Sequence, residues 1–209
     1  MRGSSRFGYA CAQGISFGVI LMAISFIQPR PIALVSTLSV DAVRNLAPFS
    51  FYNMVSANPP VVMFAPSYRR DATAKDSLHN VEALGEFVVA TVTERLAEQM
   101  NQCSFEYPPN TDEFVASGLT PVPAKLVRPW LVGESPVNIE CTLVEIKRFG
   151  KQAGAGSVVF GQILAIHVED RVLAPDGLVD PRKLKAIGRM GRDTYTRTGN
   201  TFDLPRPGG

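Results

Sequence analysis

The chain has 209 residues and a mass of 22.7 kDa, with 45% hydrophobic and 19% charged residues. This length fits one medium domain that buries about 70% of its unfolded surface. A formal net charge of +2 is too small to indicate a nucleic-acid or membrane partner. Cys11, Cys103 and Cys141 lie far apart and without CxxC spacing, so we expect no metal site and a reducing, cytoplasmic location.

The first 28 residues differ in pattern from the rest of the chain. Arg2 and Arg6 precede an apolar run over residues 15–27, which is similar to the basic and apolar regions of a signal peptide. Ser and Gly interrupt the run, and a membrane span takes about 20 apolar residues, so we expect no stable membrane insertion. We interpret residues 1–28 as an atypical leader, or as an upstream extension with Met22 as the natural start. The alternative is a first strand or helix packed on the domain, which we place at residues 29–209.

Short strands dominate the domain. Apolar runs or apolar–polar alternation of strand length occur over residues 31–38, 61–66, 87–92, 137–143 and 157–170. Within the last segment, Gly161 predicts a bulge or a barrel bend. Asp176 and Gly177 mark the turn that follows.

Two helices interrupt the strands. In the first, apolar residues recur at helical spacing until Gly85 ends the helix, and its start offers Thr73, Asp76 and Ser77 as caps. In the second, Thr91 and Glu94 have the spacing of a capping box, and one apolar face is formed by Leu96, Met100 and Cys103. Strands in two groups around two helices predict a barrel with helical excursions in a single domain.

The sequence contains no arrangement for nucleophilic or metal-assisted catalysis. Its two histidines are His79 and His167, and neither GxSxG nor HExxH occurs. His167 lies among apolar residues of a predicted strand, which favours a structural histidine, and His79 falls on a helix where a solvated position is expected. We therefore assign no catalytic side chain.

An anion site is the chemistry that the residues support best. Arg69, Arg70 and Lys75 precede or begin the first helix, and a helix N-terminus offers unpaired N–H groups and partial positive charge to a phosphate. A solvated basic loop is the alternative. Upstream, residues 45–60 read NLAPFSFYNMVSANPP and alternate large apolar side chains with small hydrogen-bonding ones. Small side chains let a flat ligand lie against the backbone, and a flat head with a phosphate tail describes FMN.

An ordered series of segments over residues 29–207 resembles the flavin reductase-like group of FMN-binding split-barrel proteins, which includes flavoredoxin. The segments are PRPIALVST, NLAPFSFYN, NPPVVMF, KDSLHN, MNQCSFEYPPNTDEF, ESPVNIEC, FGQILAIHV and IGRMGRDTY. The resemblance implies a mainly β fold, a six-stranded antiparallel split barrel with flanking helices. It also implies a homodimer with FMN near the subunit interface.

The same resemblance implies the cofactor contacts. Ser36 and Thr37 would approach the ribityl chain or the phosphate. The isoalloxazine would lie along the segment that contains Asn45, Ala47, Ser50, Phe51 and Asn53. The phosphate end would match Arg70, Lys75, Asp76 and Ser77, and Tyr195 would cover the cofactor region. Ser77 stands where the family usually has threonine, Arg44 lies in a loop that is commonly neutral, and the leader does not match.

The function that follows from this resemblance is an NAD(P)H-dependent flavin reductase that passes hydride to flavin N5, with NADH or NADPH as the electron donor. Such an enzyme could supply reduced flavin to a monooxygenase. The alternative is a flavoredoxin-like carrier that exchanges electrons with another protein and has no NAD(P)H turnover. A nucleic-acid-binding barrel is disfavoured because it needs an extended basic groove with stacking aromatic side chains. No glycine fingerprint for the dinucleotide is present.

Overall fold

A computed structural model describes residues 17–208 of the chain. Its helices are α1 (Phe17–Phe26), α2 (Asp76–Leu84), α3 (Ala97–Gln102), α4 (Glu113–Ser117) and α5 (Pro181–Leu184). Its first strands are β1 (Arg30–Pro31), β2 (Ala33–Leu38), β3 (Arg44–Phe49), β4 (Tyr52–Ala57), β5 (Pro60–Phe64) and β6 (Glu86–Thr91). The later strands are β7 (Pro121–Val122), β8 (Leu131–Val132), β9 (Val137–Arg148), β10 (Ser157–Val168), β11 (Ile187–Arg189) and β12 (Tyr195–Arg197).

The main sheet is antiparallel and has the strand order β3-β2-β6-β9-β10-β5-β4. Its two edge strands, β3 and β4, follow each other in the chain and are joined by Ser50 and Phe51 alone. So short a connection spans at most roughly 10 Å, so the sheet curls until its edges lie close together. This arrangement confirms the mainly β split-barrel class. The main sheet has seven strands, where the resemblance implied a barrel of six.

The barrel interior and its outer face hold separate cores. Along β2, Ala33 and Val35 point into the barrel with Phe64 and Phe87, and α2 closes this side with apolar residues. The alternate residue Leu34 points outward and packs with Ile32, Leu46, Leu96, Met100 and Phe114 under α3 and α4. This alternation is the period of two that strands impose.

Gly161 marks an irregular point in the long hairpin of β9 and β10. The pairing register shifts between Phe160 and Gly161, which confirms the predicted bulge. A Cβ atom at Gly161 would lie 2.6 Å from Cε1 of Phe87, far inside van der Waals contact. Glycine is required here because the ring of Phe87 fills the space that a side chain would take.

The first predicted helix is confirmed in extent, but its predicted caps are wrong. α2 ends at Gly85, which has a φ of 69° and donates its N–H to the carbonyl of Val81 at 2.9 Å. The N-cap residue is Lys75, and no side chain caps the helix. Ser77 instead donates to Asn45, and Thr73 bonds to Asp71, because tertiary and loop contacts satisfy these groups.

The second predicted helix begins later than expected, so the capping box is wrong. Thr91 is the last residue of β6, where it pairs with Ala33 of β2. A short 3₁₀ turn over Glu94–Leu96 precedes α3, and its N-cap is Thr93, without a side-chain hydrogen bond. The predicted apolar face is confirmed, since Leu96, Met100 and Cys103 are all buried.

The apolar segment before the domain includes α1 and packs on the barrel. Arg30 donates to the carbonyls of Ile24 and Ile27 at 2.7 and 2.8 Å, which fixes the end of α1 against β1. Within residues 17–208, no helix has the length and apolar character needed to cross a membrane. The basic start of the predicted leader lies outside the described residues, and a natural start at Met22 stays a prediction.

Candidate functional site

Two neighbouring cavities lie along the edge strand β3 and together form a groove. Its wide end is a cavity of about 510 Å³ and its narrow end a cavity of about 60 Å³. Both are bordered by Pro48 of β3 and Ser104 after α3, so the two cavities are neighbours along β3. A volume of 300–1,000 Å³ is typical of small-molecule sites.

The outward edge of β3 carries few hydrogen-bond donors. The backbone N–H of Leu46 points away from β2 and donates to the carboxylate of Glu113. Along a strand the outward-facing position recurs every second residue, so the next one is Pro48, which has no N–H. The groove wall therefore has no free backbone N–H group at Leu46 or Pro48, and the small side chain of Ala47 leaves the wall unobstructed.

The narrow end offers positive charge at the N-terminus of α2. The N–H groups of Asp76 and Ser77 begin the helix and have no acceptor among the residues described. Lys75 is half-buried, joins none of the ion pairs formed within residues 17–208, and has its Nζ 5.7 Å from the ring centroid of Phe49. Burial, and then the neighbouring Arg69, lower the pKa of Lys75. An uncapped helix start beside an unpaired lysine suits an anion.

Asp76 does not cancel this charge. Its carboxylate lies 2.6 Å from Nη2 of Arg69, whose Nη1 also donates to the carbonyl of Ala74. The ion pair leaves Lys75 as the unneutralised cation facing the narrow end. Arg70, the third basic residue of this loop, is exposed and borders neither cavity of the groove.

A buried polar network lies behind the narrow end. The amide oxygen of Asn45 accepts hydrogen bonds from Thr37 at 3.0 Å and from Ser77 at 2.8 Å. Asn80 donates to the hydroxyl of Thr37 at 3.1 Å, and the amide nitrogen of Asn45 donates to Glu113 at 2.7 Å. These five side chains tie β2, β3, α2 and α4 together, so the network fixes the helix start relative to the groove wall.

Glu113 is a member of this network that the sequence did not single out. It is the first residue of α4, which Asp112 caps by accepting from the N–H of Phe114 at 3.1 Å. Its side chain is 6% exposed, and burial, opposed chiefly by the hydrogen bond from Leu46, raises its pKa to about 7. In sequence, Asp112 and Glu113 look like an ordinary acidic helix start, so no signal marks the burial.

The wide end is framed by two arginines and two aromatic residues. Arg189 donates to the hydroxyl of Tyr195, and its guanidinium lies 4.6 Å from the centroid of that ring. Arg30 donates to the carbonyl of Met190 at 2.7 Å and lies 5.9 Å from the ring centroid of Phe51. These contacts hold Tyr195 and the end of β11 over the cavity. Arg30, which is 8% exposed, was not among the predicted site residues.

Most of the predicted cofactor residues line the groove, and four do not. The narrow end is bordered by Asn45, Ala47, Lys75, Asp76 and Ser77, and the wide end by Ser50, Phe51 and Tyr195. Thr37 lies behind the narrow end in the buried network. Ser36 is fully buried, and its hydroxyl finds no partner in the described part of the chain. Asn53 is exposed on β4 and, like Arg70, stands outside the groove.

The sequence profile described as "Flavin reductase like domain" matches residues 27–188. The chain belongs to the flavin reductase-like family. An uncharacterized protein of Aquifex aeolicus (strain VF5) is 39% identical over 176 residues, which are 84% of this chain and 88% of the relative. The matched profile includes the residues that line both ends of the groove, except Leu21, Ile24 and the residues beyond position 188, such as Tyr195.

Solved structures share the fold of this flavin reductase-like chain. Nitrilotriacetate monooxygenase component B from Bacillus cereus is 26% identical and has a TM-score of 0.90, covering 97% of this chain and 100% of that one. The 2-nitrobenzoate 2-nitroreductase NbaA of Pseudomonas fluorescens is 28% identical, with a TM-score of 0.85 and 97% coverage of both chains. Flavoredoxin of Desulfovibrio vulgaris (Miyazaki F), at 24% identity, has a TM-score of 0.73 and covers 84% of this chain and 90% of its own.

The donor set of the groove fits FMN. Free N–H groups and an unpaired lysine at the narrow end match a phosphate, which prefers helix starts and cations. The wide end offers Phe51 and Tyr195 for stacking and Ser50 for hydrogen bonding, as a flat polar ring requires. Within residues 17–208, no group of three or more His, Cys, Asp or Glu side chains could hold a metal ion.

Proposed function

We propose that this chain binds FMN in the groove along β3 and acts as an NAD(P)H-dependent flavin reductase. The observation that carries the proposal is the joining of an anion-suited end and a wide aromatic end into one groove. Family membership supports the same reading, since members of the group are FMN-binding split barrels. NADH or NADPH as the donor, and hydride transfer to flavin N5, are part of the proposal.

Each end of the groove has its own binding task. Lys75 and the N–H groups of Asp76 and Ser77 would hold the phosphate through charge-assisted hydrogen bonds. At the wide end, Ser50 would hydrogen-bond to the ring edge, while Phe51 and Tyr195 would limit its movement. Asn45 and Ala47 would border the ribityl chain between the two ends. Ser36, Thr37, Asn53 and Arg70 stay predicted contacts that a holo structure must test.

The residues of the chain need only bind, orient and shield. Bound FMN would supply the hydride chemistry, accepting hydride at N5 from a nicotinamide. Arg30 and Arg189 place fixed positive charge along the wall of the wide cavity, where it stabilises negative charge that develops nearby. Tyr195, held by Arg189, excludes water from that wall. No general acid or base is assigned.

A flavoredoxin-like electron carrier is the second candidate. Phe51 is 45% exposed at the rim of the wide cavity, and Phe105 is exposed beside the narrow one. Exposed aromatic side chains at a cofactor rim suit contact with another protein, such as an electron-transfer partner. A monooxygenase partner is the corresponding proposal for the enzyme, in keeping with the name of the Bacillus cereus protein, nitrilotriacetate monooxygenase component B.

A homodimer is proposed from the apolar surface of the barrel. Met54 and Val55 on β4, Val144 on β9, and Leu164 and Ile166 on β10 are all more than 40% exposed. β9 and β10 are neighbours in the sheet, and β5 alone separates β10 from β4. Apolar patches of this kind mark interaction surfaces, and a second copy would bury them.

A cytoplasmic location is also proposed, since Cys103 and Cys141 are buried free thiols.

Steady-state turnover separates the two candidate functions. The purified protein should oxidise NADH or NADPH in proportion to added FMN, and the flavin absorbance should bleach under anaerobic conditions. Stably bound FMN with no NADH or NADPH oxidation would contradict the reductase and support the electron carrier. Absence of FMN binding would contradict both.

A further inference from the structure

The carboxyl of Glu113 occupies an unusual position at the narrow end of the groove. Its Oε2 accepts hydrogen bonds from the amide of Asn45 and the N–H of Leu46, the two β3 residues at the start of the groove wall. Asp76 also borders the narrow cavity and forms an ion pair with Arg69. Glu113 has no ion pair with any residue that the structure describes.

The surroundings of Glu113 move its pKa upward. Burial raises its pKa to about 7, the charge of Asp76 adds to this effect, and Arg69 and Lys75 oppose it. Cys103, which follows α3, borders the same cavity, and burial is the main cause that raises its thiol pKa to about 11. The other charged or titratable groups around it are Arg44, Asp112, Asp41, His79, Glu106 and Tyr107.

A phosphate in the narrow cavity would change this balance. Like charges at close range disfavour the ionised form of a carboxyl, so an entering phosphate raises the affinity of Glu113 for a proton. The ligand and the proton then promote each other's binding, because linkage between two sites is reciprocal. If the proton binds to Oε1, Oε2 stays an acceptor, so the hydrogen bonds from Asn45 and Leu46 can persist.

We propose that Glu113 is a positioning residue for the flavin phosphate, and that its carboxyl takes up a proton from solvent when the phosphate enters the groove. The proposal rests on the proposed function, since it takes a phosphate-bearing flavin as the ligand. Glu113 acts through Asn45 and Leu46, which form the groove wall, and touches no reacting atom.

The consequence is a pH dependence that follows the phosphate and not the ring. Between pH 7 and 9 the second ionisation of a phosphomonoester is essentially complete, since its pKa is about 6. FMN affinity should nevertheless fall about fivefold over this range, as expected when phosphate binding raises the pKa of Glu113 by about one unit. Riboflavin, which has the same ring without the phosphate, should bind with nearly constant affinity.

Calorimetric titration with FMN and riboflavin in two buffers of different ionisation enthalpy counts the protons taken up. The variant Glu113→Gln keeps an amide oxygen for the two donors and removes the titration. The matched control is Glu106→Gln, which alters an exposed carboxylate bordering the same cavity. At pH 8 the wild type and Glu106→Gln should take up a fraction of a proton with FMN, and Glu113→Gln should take up none.

Each result decides the proposal. FMN binding without proton uptake in the wild type overturns it, and this measurement needs no variant to fold. Equal uptake in Glu113→Gln also overturns it, since another group would then be the titrating one. Failure of the wild type to bind FMN at any pH would instead refute the proposed function, so the two failures are distinguishable.

Discussion

Replacing Lys75 with glutamine should weaken FMN binding while leaving riboflavin binding unchanged. Lys75 is half-buried at the narrow end, borders the start of α2, and joins no ion pair among the residues that the structure describes. A hydrogen bond to a charged group contributes about 1.5–3 kcal/mol. Its loss should raise the Kd for FMN roughly 10- to 150-fold, since 1.4 kcal/mol is a factor of ten.

The stability of the apo-protein should barely change, because burial already disfavours the charged form of Lys75 and lowers its pKa. Fluorescence titration with FMN and riboflavin measures both affinities, and a thermal melt without ligand measures stability. Lys147→Gln, on the exposed part of β9, is the matched control and should leave both ligands unaffected. An FMN Kd within twofold of wild type, or an equal loss of riboflavin affinity, would refute the phosphate assignment.

Three further predictions concern stability. Gly161→Ala should lower the free energy of unfolding by about 1–3 kcal/mol, measured by urea denaturation, because the new Cβ meets the ring of Phe87. Glu140→Ala should cost about 3 kcal/mol or more, because it strips the acceptor from the N–H groups of Lys125, Leu126 and Val127. Folding raises the pKa of Glu113 from 4.5 to about 7, so the free energy of unfolding of the wild type should fall by about 3 kcal/mol as the pH rises from 4.5 to 7. In Glu113→Gln the free energy of unfolding should fall by less. Parallel melts at pH 5 and 8 test this; an equal pH dependence in both proteins would contradict it.

The strands and α2 could be predicted because local pattern and tertiary environment agree there. Ala33, Leu34 and Val35 alternate between two cores, and such alternation is visible in the sequence. Gly85 ends α2 in a left-handed conformation that glycine adopts without strain. The bulge at Gly161 was predicted because an isolated glycine within a strand marks one, although its contact with Phe87 depends on a strand distant in sequence.

The prediction of a capping box was wrong because strand pairing competes with the local sequence signal at this position. Thr91 has the right spacing to Glu94, yet pairing with Ala33 keeps it in β6.

Glu113 and Arg30 were missed because their partners are distant in sequence. The partner of Glu113 is the β3 strand 67 residues earlier, and Arg30 reaches Met190, 160 residues later. Charged residues at element ends usually face solvent, and only the assembled fold reveals that these two are buried.

A crystal structure with FMN would show directly whether the groove along β3 holds the cofactor. We expect the phosphate about 3 Å from the N–H groups of Asp76 and Ser77, close to Nζ of Lys75, with the ring in the wide cavity beside Tyr195. A competing cavity of about 430 Å³ is bordered by Gln99 of α3 and by four basic residues, Arg95, Arg171, Lys183 and Lys185. Density for FMN in that basic cavity, with the groove along β3 empty, would contradict the account.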